Sequence, residues 1–280
     1  MARRNNLDRT GAPQPDASTP VTDQTSDLFS FVNPTEFVDL PSGGQMYGED
    51  HQLHNVETVE IRHMTAKEED ILTSETLLKR GMAIDRLVES VMVDKTIKTD
   101  ELLIGDKNAI LLAARITGFG PQYEADVTCP KCDTEQEHVF DLSTIKHKKI
   151  SQRNAKSTTE GTYTFKLPNT KINIEIRLLT SRDEQILSRH LDARRKQKLP
   201  ENAATTLLSA VLVSANDVTD RSELTKLVER LPLQDSKHIR TIYDRLKPDL
   251  DMEFDFTCMS CSNDGRITMP LTAEFFWPNG

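Results

Sequence analysis

Residues 59–72 read VEIRHMTAKEEDIL, and residues 174–187 read IEIRLLTSRDEQIL. At the offset 174 − 59 = 115, Glu60, Ile61, Arg62, Thr65, Glu69, Ile71 and Leu72 recur as Glu175, Ile176, Arg177, Thr180, Glu184, Ile186 and Leu187. So many identities in so short a window mark an internal repeat, the signal to seek before any fold assignment. The correspondence extends outward. AIDRLVESVMV (83–93) matches AATTLLSAVLV (203–213), YEADVTCPKC (123–132) matches MEFDFTCMSC (252–261), and EFVDLP (36–41) faces YTFKLP (163–168). The chain therefore reads as an internally duplicated α+β protein, with one repeat unit over 31–145 and the second over 161–273. A polar, basic linker is expected at 146–160, a disordered or extended N-terminal arm at 1–30 and an aromatic C-terminal tail at 274–280.

Each unit predicts a short strand pair, about three helices and a closing strand–Cys-x-x-Cys–strand knuckle. Ile172, Ile174, Ile176 and Leu178 alternate with period two, as a strand requires. Thr65 with Glu68, and Ser181 with Glu184, fit the capping box that opens a helix. Ile84, Leu87, Val88 and Val91 then share a helical face, as do Leu207, Leu208, Val211 and Leu212. Asp106 and Asp235 read as N-caps of a further helix, and Ile239, Ile242, Tyr243 and Leu246 follow at helical spacing. The first unit adds the loop SGGQMYGEDHQLHN (42–55), whose Gly and polar content suits an exposed excursion.

The only cysteines are Cys129, Cys132, Cys258 and Cys261, one Cys-x-x-Cys pair per unit. Two thiolates cannot fill a tetrahedral site, but two knuckles facing each other give four, a closed structural zinc site. The pairs lie far apart for a zinc ribbon; a two-fold pairing of duplicated hairpins brings them together. One Zn2+ held this way contributes on the order of 10 kcal/mol. A thioredoxin-like redox pair would open a helix, and neither pair precedes a helical pattern. Free thiols or disulfides are the remaining alternative. His138 lies nearby, but its aligned position is Ile267, which marks a strand residue rather than a ligand.

The chain has 280 residues, 36% hydrophobic and 28% charged, with a net charge of −9. That balance disfavours general affinity for nucleic-acid phosphates. No apolar run approaches the length of a membrane span, and the N-terminus lacks a secretory pattern, which implies synthesis in the cytoplasm. No His-Glu-x-x-His, Gly-x-Ser-x-Gly or phosphate-binding Gly-rich motif occurs. The reading is of a protein without catalysis or small-molecule substrate. Its candidate partner-binding residues are aromatic and apolar side chains near the two ends and in the Gly-rich loop: Phe29, Phe31, Val32, Tyr47, Phe275, Phe276 and Trp277. A zinc-ribbon nucleic-acid-binding or transcription-associated module is the alternative.

FVDLPSGGQMY (37–47), VEIRHMTAKEEDILTS (59–74), LLKRG (77–81) and DKNAILLAARI (106–116) together resemble the baseplate hub family of T4-like, contractile-tailed bacteriophages. The resemblance covers the first unit best. It implies a structural or assembly protein of the virion tail baseplate, made in the host cytoplasm and acting through contacts with other tail proteins. It supplies no set of functional residues.

Overall fold

A short antiparallel strand pair followed by a helix occurs in both halves of the chain. In a computed structural model that describes residues 33–153 and 155–276, the first half runs β1 (Thr35–Asp39), β2 (Thr58–Arg62), α1 (Ala66–Thr73), α2 (Glu75–Lys79), α3 (Ala83–Val91), α4 (Ile104–Phe119), β3 (Gln122–Thr128) and β4 (Glu135–Asp141). The second runs β5 (Lys156–Ser157), β6 (Thr162–Lys166), β7 (Asn173–Arg177), α5 (Ser181–Lys196), α6 (Ala203–Val211), β8 (Leu212–Ala215), α7 (Arg221–Arg230), α8 (Leu233–Leu246), β9 (Glu253–Thr257) and β10 (Asp264–Thr268). The fold is mixed α+β, with eight α-helices and small antiparallel sheets among the described residues. Each half holds four helices where about three were expected. None of the helices is long and apolar enough to cross a membrane.

β1 pairs β2 with Val38 opposite Val59, and β6 pairs β7 with Tyr163 opposite Ile176 and Phe165 opposite Ile174. All six side chains are buried, as the period-two pattern requires. In the second half β5 and β8 extend the pair to the order β5-β6-β7-β8. In the first, a single bridge from Ile61 to Met92 stands where β8 would be.

The helix that follows each strand pair starts in the same way. Thr65 N donates to Glu68 Oε2 at 2.9 Å, and Thr180 N donates to Asp183 Oδ2 at 2.9 Å. The strand's last arginine forks onto the same carboxylate: Arg62 on Glu68 at 3.0 and 2.5 Å, Arg177 on Asp183 at 2.6 and 2.7 Å. The second capping box is therefore Thr180 with Asp183, one residue before the expected Ser181 with Glu184. Glu184 instead meets Lys107, which is buried in α4 and also faces Asp85 at 3.7 Å.

Asp106 and Asp235 are not N-caps either. The N-caps are Leu103 and Pro232, so both aspartates sit at the third helical position, fully buried. Each reaches back to the turn after a Leu-Pro pair. Asp106 accepts from Ser42 N at 2.9 Å and Ser42 Oγ at 2.7 Å; Asp235 accepts from Asn169 N and Thr170 N, both at 2.9 Å.

Residues 42–55 do not form the expected exposed excursion. Ser42, Met46, Tyr47 and Leu53 are buried, because Asp106 anchors the loop from within. Gly44 has φ +71°, and a Cβ there would lie 2.3 Å from Val56 N. The described residues of 146–160 are mostly exposed but tied down. Lys148 N donates to Asp249 O, Asp251 N to Lys146 O and Ser151 N to Arg245 O, and its far end forms β5. Both halves contribute to one apolar core, and backbone bonds join them at α4, where Ser181 N donates to Leu102 O at 2.8 Å and Ile104 N to Leu179 O at 3.3 Å.

Candidate metal centre

Each Cys-x-x-Cys pair sits at the tip of a hairpin. β3 pairs β4 with Thr128 opposite Glu135, and β9 pairs β10 with Thr257 opposite Asp264. In the first turn Cys129 N donates to Thr134 O and Asp133 N to Cys129 O. In the second Cys258 N donates to Asn263 O and Ser262 N to Cys258 O. Both turns close through a left-handed residue after the second cysteine, Asp133 at φ 53° and Ser262 at φ 54°. Polar side chains with local hydrogen-bonding reach tolerate that conformation better than most.

The hairpins pack face to face. Phe140 lies 5.2 Å from Phe254, and His138 lies 5.7 Å from Phe256, ring centre to ring centre. His138 is thus a strand residue among aromatic rings, outside the thiol cluster. Met259 N donates to Gln136 Oε1 at 2.9 Å across the two tips. This packing brings Cys129 Sγ to 3.8 Å from Cys261 Sγ and Cys132 Sγ to 3.6 Å from Cys258 Sγ. All four sulfurs lie within 4.8 Å of one another. Both of these short thiol contacts cross from one hairpin to the other.

Cys129 and Cys258 are buried, and Cys132 and Cys261 half-buried. Hydrogen bonding from Thr134 holds the Cys132 thiol down at about 6, and the Cys261 backbone amide lowers Cys258. Burial pushes Cys261 up to about 12. Four adjacent thiolates repel one another unless a cation lies between them. A soft four-sulfur donor set is what zinc, iron–sulfur and Cu(I) centres use, so these residues fit a metal ion. Thr134 and Gln136, which support the tips, were not singled out in the sequence. The one signal they offered was their place just after the first pair.

The other expected contact residues are placed differently. Phe275 and Phe276 are buried. Phe275 stacks on Tyr123 at 5.1 Å, and Phe276 meets Phe275 at 6.0 Å and Phe119 at 6.4 Å. They close the core beside α4 and β3. Tyr47 is also internal: its hydroxyl donates to Asp106 Oδ2 at 2.7 Å and accepts from Leu103 N at 3.0 Å. Burial and the Asp106 carboxylate push its phenol pKa up, which keeps the proton on the donor. Phe29, Phe31, Val32 and Trp277 lie outside the described residues.

The chain is thus an α+β protein built around one shared core, with two thiol-bearing hairpins closed on each other. The family model for the T4 bacteriophage base plate protein matches residues 33–277, and the chain belongs to that family. It is a structural component of a phage tail baseplate. No match was found among curated proteins or among solved structures.

Proposed function

We propose that the chain serves in the hub of the baseplate, without catalysis, as a duplicated scaffold whose two hairpins share one structural zinc ion. The observation that carries the metal assignment is a pair of distances. A regular tetrahedron with Zn–S bonds of about 2.3 Å has S···S edges of about 3.8 Å, and the cross-hairpin sulfurs stand at 3.8 and 3.6 Å. Four thiolates would complete the coordination and leave no open position for a substrate water, so the role is structural. Zinc absorption spectroscopy of the purified chain tests this. Four sulfur scatterers at about 2.3 Å support it; fewer sulfurs, or a multi-iron signature, overturn it.

The duplication belongs to the same proposal. Beyond the sequence identities it is supported by the paired arginine–carboxylate clamps at Glu68 and Asp183 and by the buried aspartates 106 and 235, each bonded to the turn after a Leu-Pro pair. The hub assignment is tested by mass spectrometry of purified tails and baseplate precursors; absence from both would overturn it. The nucleic-acid module is opposed by the knuckle itself. The outward face of β3–β4 presents Glu124, Asp126, Glu135 and Glu137 to solvent, and these repel phosphate.

A further inference from the structure

Helix α5 is 16 residues long, yet no residue from Arg182 to Leu207 is buried. Beyond Leu187, which still packs on the core, the helix and the loop back to α6 form an exposed projection. The first half has no counterpart, since α1 ends at Thr73 and buries Leu72. The projection is basic in a chain of net charge −9. Lys196 and Lys198 make no ion pair among the described residues, and Arg189 bonds only to Gln185. Ile186 and Leu199 are 55% and 46% exposed. Ile186, Arg189, Ala193 and Lys196 fall on one helical stripe, and all four are exposed.

The outer face of the β3–β4 ribbon has the opposite character. Asp126 stands directly opposite Glu137, and Glu124 opposite Val139. Like charges facing each other across a ribbon are destabilising, and no cation of the described chain pairs with these carboxylates. The β9–β10 ribbon, by contrast, holds Arg266 against Asp255 at 2.9 Å. Val139 is 58% exposed among the acids. Each surface thus sets an apolar side chain beside charges, in net excess basic on the projection, where Asp192 and Glu201 both pair with Arg195, and acidic on the ribbon.

We propose that the chain associates head to tail with a second copy of itself, the α5 projection of one copy lying on the outer face of the β3–β4 ribbon of the next. The dimensions agree. Ile186 to Lys196 spans about 15 Å along a helix, and Glu135 to Val139 about 13 Å along a strand. Ile186 on Val139 therefore sets Lys196 beside Glu135 and Arg189 near Glu137. Such a contact joins two different surfaces, so it propagates into a ring or an open chain rather than stopping at a two-fold dimer.

Sedimentation velocity of the full chain tests this, with two charge-reversed variants, Arg189→Glu/Lys196→Glu and Glu135→Lys/Glu137→Lys. All four side chains are exposed, and circular dichroism checks that both variants fold. The wild type is expected to associate with rising concentration, more weakly at high salt. Each variant alone is expected to stay monomeric where the wild type associates. An equimolar mixture of the two is expected to associate again, because the reversed projection then meets the reversed ribbon. A wild type that is monomeric throughout, an association that survives either reversal, or a mixture that stays monomeric would each overturn the proposal.

Discussion

Glu68 is fully buried and takes two hydrogen bonds from Arg62, one from Ser90 Oγ at 2.6 Å and two from Thr65. Burial alone would raise its pKa, but these donors outweigh it and hold the carboxyl at about 2, below the ordinary 4.5. The unfolded chain therefore takes up the proton first as pH falls. The stability this carboxylate contributes is complete above about pH 4.5 and disappears as pH drops toward 2. Glu68→Gln should cost about 3 kcal/mol at neutral pH, since it removes the buried carboxylate and leaves Arg62 without its partner. Denaturant unfolding from pH 7 to pH 2 should show the gap between wild type and variant closing over that window. A gap that stays constant to pH 2 would contradict the assignment. The clamp was half legible. Thr65 and Glu68 follow the local capping pattern, but TSRDE (180–184) contains two overlapping frames, Thr180 with Asp183 and Ser181 with Glu184. The offset of 115, which sets Thr65 on Thr180 and Glu68 on Asp183, and the position of Arg177 at the strand end both select the first. Tyr47, Phe275 and Phe276 are buried; an aromatic near a loop or chain end looks the same in sequence whether it anchors a partner or closes a core.

Among the elements, the Gly-rich loop departs furthest from its sequence reading. Its composition suggested an exposed excursion, but Asp106, 64 residues from Ser42, pins it from inside. A contact at that separation leaves no local periodicity to detect. The two adjacent glycines separate backbone freedom from close packing. Gly43 has φ +57° with open space around a Cβ, whereas at Gly44 a Cβ would meet backbone atoms of Val56 and Leu53 within 2.7 Å. Gly43→Ala should cost about 1 kcal/mol from left-handed strain alone. Gly44→Ala must also displace backbone and should cost about 3 kcal/mol or more. Thermal unfolding of the two variants checks the order, and equal losses would mean that the loop shifts freely. The hairpins, in contrast, were legible almost residue by residue. Met252, Phe254 and Phe256 alternate before the turn and the thiols mark its tip, so period and punctuation agree.

For the molecule as a whole, the repeat predicted which hairpins would meet, and the four cysteines lie together across a separation of 126 positions between Cys132 and Cys258. The sequence did not reveal how firmly the halves are joined elsewhere. Lys107 between Asp85 and Glu184, the backbone bonds at Leu102 and Leu179, and the strap at 146–151 all connect them. These contacts link positions with no local pattern in common. Metal removal should therefore loosen the two hairpin tips first, with amide exchange rising around Cys129 and Cys258 before the core at Ile110 and Ile176 opens. Global unfolding on chelation, with exchange uniform along the chain, would instead make the metal the principal fastener. Native mass spectrometry of the full chain beside Cys258→Ser most directly tests whether the two hairpins share one ion. The account predicts one zinc per wild-type chain and a marked loss of zinc in the variant. No metal in the wild type, or two ions with one retained by the Cys129–Cys132 hairpin of the variant, would contradict it.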